Sequence, residues 1–173
     1  MNQEETFLAA FDEYADSLYR HAYFRVSDAE KAKDLVSETF TKTWDYLVKG
    51  KTVDDFRPFL YRALNRLIID EYRKKKVDSL DALLDDSNVP TGVFSELVEG
   101  SLEELELALD ARRVPELLEL MPESYREVVL MRYMDGLLPA EIATVVGEPV
   151  NNVSVRIHRG VQWLADYVKK REI

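Results

Sequence analysis

The chain has 173 residues, 46% of them hydrophobic and 32% charged, which suits one large or two small folded domains and excludes a disordered polyelectrolyte. It holds no cysteine, excluding disulfides and cysteine metal sites, and no run approaches the roughly 20 apolar residues of a membrane helix. The net charge of −10 is unevenly spread: residues 1–77 carry 14 basic and 14 acidic side chains, residues 78–101 six acidic and no basic, and residues 102–173 nine basic and 13 acidic. Such a chain should bind naked DNA weakly without a partner. The acidic start, Met1 to Glu5, is unlike a secretion or transit signal, so a cytoplasmic location without membrane insertion is expected.

The first segment reads as three helices. From Thr6 onward, Phe7, Phe11, Tyr14, Leu18 and Ala22 form one apolar stripe at helical spacing. A second helix is expected from Ser27, with Glu30 completing a capping box, an apolar face through Ala32, Leu35, Val36, Phe40, Trp44 and Leu47, and Gly50 as its stop. After the polar loop 49–55, a third helix is expected near Pro58, running through Leu60, Leu64, Leu67, Ile68 and Tyr72 into a basic end. Phe59 and Tyr61 cannot both face one core, so at least one is expected to be exposed.

Residues 78–101 are acidic and lack a long period, and read as a linker with Leu80, Leu83, Leu84 and Phe94 as docking points. Helices are expected at 102–113, at 125–134 with Gly136 as its stop, at 139–146 and at 149–170. No alternating β pattern of useful length intervenes. The expectation is an all-α fold of two small helical domains, 1–77 and 102–173, joined by the acidic linker 78–101.

The last two helices are separated only by Gly147 and Glu148, the spacing of a helix-turn-helix. A small residue, Ala143, suits the helix crossing; Gly147 suits the turn; Ile142 and Val153 would wedge between the helices. Asn151, Asn152, Ser154, Val155, His158 and Arg159 would then face outward, with Arg156 and Lys169 to Arg171 adding positive charge. A helical hairpin without DNA contact fits the spacing about as well. Gly160, inside the last helix, should cost about 1 kcal/mol against alanine.

Four segments, in order, resemble the extracytoplasmic-function group of sigma factors. DLVSETFTKTW (34–44) is similar to that family's polymerase-binding helix, and FRPFLYRALNRLIIDEYR (56–73) to its promoter-melting segment. MPESYREVV (121–129) with RYMDGL (132–137) resembles the helix before its helix-turn-helix, and PV (149–150) with RIHR (156–159) its recognition helix. The resemblance implies that Asp34, Glu38, Thr41, Lys42 and Trp44 contact RNA polymerase core. It implies that Lys51, Phe56, Phe59, Tyr61, Arg62, Asn65 and Arg66 read and melt the minus-ten promoter element, with Arg73, Lys74, Lys75 and Lys76 on phosphates. It assigns minus-thirty-five contacts to Asn151, Asn152, Ser154, Val155, Arg156, His158 and Arg159. The recognition helix departs from the family, since Ser154 and Val155 stand where relatives often carry a cation and a small polar residue and Asn151 and Asn152 replace a small, flexible pair, which points as much to weaker binding as to altered specificity.

Read without the resemblance, Asp34, Glu38 and Lys42 at four-residue spacing are a solvated stripe with an ordinary ion pair worth a few tenths of a kcal/mol. The implied partners are polymerase core and promoter DNA, with an anti-sigma factor common in the family. No cofactor, metal or small-molecule substrate is expected. An enzyme reading finds little support, because His21 and His158 stand far apart and neither belongs to a compact metal or nucleophile motif. A stand-alone helix-turn-helix regulator, or a helical interaction protein with a degenerate DNA module, are the rival readings; both leave residues 1–77 without a task.

Overall fold

The computed structural model describes residues 2–78 and 114–171. The expected linker and the helix at 102–113 lie outside the described residues, apart from Asp78.

Helix α1 spans Gln3–Val26 and begins earlier than its apolar stripe suggests. Asn2 accepts the Glu5 N–H at 2.8 Å while the Glu5 carboxylate accepts the Asn2 N–H at 2.9 Å, so the capping box sits here. The box expected at Ser27 is not formed. Ser27 is the last cap of α1 in a left-handed conformation (φ 54°), whereas Asp28 is extended and accepts the Lys31 N–H at 3.0 Å. An N-cap needs that extended backbone, which Ser27 gives up to turn the chain.

Helix α2 spans Ala29–Val48, and Gly50 (φ 78°) follows its cap. Helix α3 spans Phe56–Asp78, starting before Pro58 because the Asp55 carboxylate accepts the Arg57 N–H at 3.1 Å. Pro58 still lies in the first turn, where its missing N–H costs nothing. The three helices bury Leu18, Ala22, Leu35, Phe40, Leu64 and Ile68 among one another. Burial of the Leu, Phe and Ile side chains among these stabilises by roughly 2 kcal/mol each, so this face outweighs helix propensity in fixing the arrangement.

The second half contains α4 (Val114–Leu120), α5 (Glu123–Val129), α6 (Pro139–Val146) and α7 (Val150–Arg171). The single helix expected over 125–134 instead begins at Glu123 and widens into a π-helical turn over Leu130–Met134. There the Asp135 N–H donates to the Leu130 carbonyl at 3.1 Å and the Leu137 N–H to that of Met131 at 2.9 Å. Gly136 (φ 69°) then reverses the chain.

Between α6 and α7, Gly147 is left-handed (φ 74°), Ile142 and Val153 are fully buried, and Ala143 is 8% exposed, giving the helix-turn-helix its expected wedge. Gly160 has a packing reason for its place in α7. A Cβ there would lie 2.6 Å from Val129 Cγ2 and 3.2 Å from Tyr125 Cβ, so its absence lets α7 approach α5.

The two halves share a core. Val128, Met131, Leu137, Ile142 and Val145 join Leu18, Leu60 and Leu64 in one apolar cluster, while Leu117, Met121, Leu130, Val161 and Leu164 form a second within the C-terminal half. Helix α6 lies on α3, and α5 approaches α1. This packing overturns the expectation for Phe59 and Tyr61: Tyr61 is 2% exposed, covered by the second half, and Phe59 is half-buried with its ring 5.2 Å from that of Tyr46. No helix among the described residues is long and apolar enough to cross a membrane.

Candidate functional site

On α2, Asp34, Glu38, Thr41 and Lys42 all stand in solvent, opposite the buried Leu35, Phe40 and Leu47. Lys42 Nζ lies 2.9 Å from Glu38 Oε1, one turn away, and Thr41 donates to the Ser37 carbonyl at 2.9 Å. Trp44 is half-buried with its ring 5.0 Å from that of Phe7. Exposed pairs such as Glu38 and Lys42 contribute little to folding, so this stripe is free to be specified by a partner.

The loop and α3 divide into two sets. Lys51, Arg62, Arg66, Arg73, Lys74, Lys75 and Lys76 are exposed, with Lys51 Nζ 4.9 Å from the centre of the Tyr46 ring and Arg73 3.8 Å from Asp70. Phe56 and Phe59 are half-buried. Tyr61 and Asn65 are buried, each 2% exposed, on the face of α3 turned to the second half. The Asn65 carbonyl oxygen accepts from Arg25 Nη1 at 3.0 Å. In this arrangement the cationic side of α3 is open while Tyr61 and Asn65 are covered.

At the start of α7, Asn151, Asn152 and Ser154 are exposed, and Val155 and Arg159 are partly so. His158 is 8% exposed and turned inward. Arg156 is held by Glu148 at 2.9 Å, by Glu127 at 2.6 Å and by the Ser124 carbonyl. Its guanidinium therefore braces α7 against α5. The exposed side chains are two neutral amides and a hydroxyl, able both to donate and to accept hydrogen bonds.

A polar network that sequence reasoning missed lies between the halves. The Asp135 carboxylate, with its side chain 1% exposed, accepts from His21 Nδ1 at 2.7 Å and from the Tyr61 hydroxyl at 3.0 Å, while its backbone carbonyl accepts from Arg57. Arg25, 2% exposed, pairs with Glu123, lies 3.9 Å from Glu127 and contacts Asn65; its own carbonyl accepts from the Tyr72 hydroxyl. A signal was present in α1, because His21 and Arg25 continue the face of Leu18 and Ala22, where polar residues must find buried partners. Nothing in the local pattern named those partners.

The electrostatics follow from burial. Burial pushes the Tyr61 hydroxyl well above its usual value, and the charge of Asp135 adds to the rise. Burial, aided by the charge of Glu123 and opposed by that of Arg25, pushes Tyr72 up to about 12. Both therefore remain neutral donors. Burial alone would raise Glu127, but the guanidinium groups of Arg25 and Arg156 outweigh it and hold the carboxyl below its usual range.

Comparison with known proteins supplies the frame for these surfaces. Residues 10–77 match the family described as sigma-70 region 2, and residues 111–164 match sigma-70, region 4. The ECF RNA polymerase sigma factor SigW of Bacillus subtilis is 32% identical over 166 residues, covering 93% of this chain and 88% of the relative. The ECF RNA polymerase sigma factor SigL of Mycobacterium tuberculosis is 30% identical over 157 residues, covering 90% and 85%. In fold, the sigma factor RpoE solved with the anti-sigma factor NepR from Bartonella quintana superposes with a TM-score of 0.70 at 18% identity, covering 98% of this chain and 99% of that one. CnrH solved with the cytosolic domain of CnrY gives 0.69 at 22% identity, covering 98% and 92%. A stand-alone regulator would leave the region 2 match without a reason. The chain belongs to the extracytoplasmic-function RNA polymerase sigma factors, which bind core polymerase and direct it to promoters to start transcription.

Proposed function

We propose that this sigma factor divides its work among three surfaces. The α2 stripe of Asp34, Glu38, Thr41 and Lys42, with the edge of Trp44, docks on polymerase core. The loop before α3, with Phe56, Phe59, Tyr61, Arg62, Asn65 and Arg66, captures unpaired minus-ten bases, and Arg73 with Lys74 to Lys76 holds the backbone. The start of α7 enters the major groove of the minus-thirty-five element, with Asn151, Asn152 and Ser154 nearest the bases. On this reading residues 1–77 and 102–173 are separate functional units, polymerase performs all nucleotide chemistry and the chain itself catalyses nothing. An anti-sigma factor is proposed as a further partner by analogy with the two complexes above.

The observation that best supports the division is the exposed charge of α2 on the side of the first three helices away from their core. Charge reversal at Glu38 (Glu38→Lys) removes its pair with Lys42 and opposes a complementary partner. It should weaken association with core polymerase by tenfold or more, in order of magnitude, with helicity unchanged. The check is polymerase-dependent gel-shift on a melted promoter fragment, and undiminished binding by the variant would move the docking surface elsewhere.

A further inference from the structure

We propose that Gln3 is a positioning residue for promoter recognition: its side-chain amide pins the loop 49–55, and so sets how strictly a captured minus-ten base is read. The inference rests on the reading of that loop given above.

Three observations carry it. The Gln3 side-chain nitrogen donates to the Leu47 carbonyl at 2.9 Å and to the Lys51 carbonyl at 3.3 Å. A primary amide carries two N–H donors on one nitrogen, so both carbonyls can be served at once. They flank Gly50, whose left-handed φ of 78° turns the chain out of α2. The amide therefore ties the loop on both sides of its turn. Second, the point from which Gln3 reaches is fixed. It is the first residue of α1, directly after the Asn2 cap whose reciprocal bonds with Glu5 hold the helix start. Third, the held backbone carries the loop's aromatic-backed cation. Lys51 Nζ lies 4.9 Å from the centre of the Tyr46 ring, which in turn lies 5.2 Å from that of Phe59. Placing the Lys51 backbone thus keeps a cation beside two aromatic rings. An unpaired nucleotide needs that combination, a π-surface for its base and a charge for its phosphate.

A purely structural task for Gln3 is the competing account, and its position separates the two. The first turn of a helix favours an anion and disfavours a cation. Gln3→Glu keeps the shape of the side chain and suits the helix start, yet at neutral pH its carboxylate has no hydrogen to donate. Gln3→Lys suits the helix start less, but it restores N–H donors on a stem long enough to reach the same carbonyls. Helix stability therefore orders these variants one way and loop pinning the other. Hydrogen bonds at an exposed site contribute modestly, so changes of about fivefold are expected rather than loss of function.

The test uses the full chain with Gln3→Ala, Gln3→Glu or Gln3→Lys. Lys49 and Lys51 are exposed, so tryptic cleavage after each, followed by mass spectrometry on the free chain, reads how often the loop loosens. Cleavage should speed by about fivefold in Gln3→Ala and Gln3→Glu and stay near the unaltered rate in Gln3→Lys. With core polymerase, gel-shift on melted promoter fragments changed one base at a time across the minus-ten element gives the discrimination between preferred and changed base. It should fall by about fivefold in Gln3→Ala and Gln3→Glu and be kept in Gln3→Lys, although thermal unfolding should place Gln3→Glu above Gln3→Lys. Unchanged cleavage in both Gln3→Ala and Gln3→Glu would overturn the pin. Faster cleavage with full discrimination would overturn its part in reading, as would discrimination that follows the melting temperature across the three variants. Failure of the underlying reading looks different: the unaltered chain would bind every fragment alike while its loop still resists cleavage, and the proposal would fall with it.

Discussion

The two surfaces assigned to DNA differ in how they are kept. At the start of α7, Asn151, Asn152 and Ser154 stand in solvent on a helix held rigidly by Val153, Ile157 and the braced Arg156. On α3, Tyr61 and Asn65 are each 2% exposed and occupied by partners from α1 or from the second half. The difference fits the form of DNA that each would meet. A duplex presents its major-groove edges at all times, so its reader can be standing and rigid. Unpaired bases exist only after the strands open, at a cost of a few kcal/mol, so their captor is needed only in the assembled complex. On the proposed function, covering Tyr61 and Asn65 in the free chain would therefore cost no activity.

Three substitutions break or sharpen that contrast. Arg25→Ala strikes the covered side hardest, because it leaves Asn65 without its donor and removes a buried partner of Glu123 and Glu127. A loss of about 3 kcal/mol is expected in urea unfolding of the full chain, in line with breaking a buried ion pair from one side. A loss under 0.5 kcal/mol would show that the network adds little to closure. Gly160→Ala tests the rigid side instead. Alanine should favour the helix by about 1 kcal/mol, yet its Cβ would collide with Val129 and Tyr125, so a net loss of about 1–2 kcal/mol is expected from thermal or urea unfolding. A gain in stability would mean that α5 and α7 can part without penalty.

The smallest effect is expected from Glu127, which joins the two sides through Arg25 and Arg156. Its folded value lies below the ordinary one of 4.5, so its contribution is full above that pH and is lost as pH falls through the folded value. The unaltered chain should therefore weaken on the acid side, and Glu127→Gln should show a flatter acid limb in chemical unfolding from pH 6 to 3. Parallel limbs for the two proteins would remove Glu127 from this role.

Much of this architecture was legible because it rests on local rules. The apolar stripes of α1, α2 and α3 follow helical spacing, and Ala143, Gly147 and Val153 mark the helix-turn-helix through steric needs that any sequence must meet. Helix ends were less legible. Ser27 and Asp28 are both good caps, and only the backbone reveals that the first turns left-handed and the second stays extended. The closure was not legible at all. Tyr61, three residues before Leu64, and Asn65, beside it, look like the open side of α3 until a second apolar surface arrives from Ile142 and Val145, far along the chain. Asp135 reads as an ordinary turn residue before Gly136, because its donors, His21, Arg57 and Tyr61, stand more than seventy positions away. The reason for Gly160 was hidden likewise, since the side chains it admits belong to α5.

On the proposed function, the face of α3 that carries Tyr61 and Asn65 is covered in the free chain and must be uncovered on polymerase. Hydroxyl-radical footprinting with residue-resolved mass spectrometry, on the free chain and on its complex with core polymerase without DNA, reads it directly at Tyr61. The account predicts a protected Tyr61 in the free chain and a clear rise in its oxidation on polymerase, while exposed Tyr23 reacts in the free chain throughout. Equal reactivity of Tyr61 in both states would contradict it.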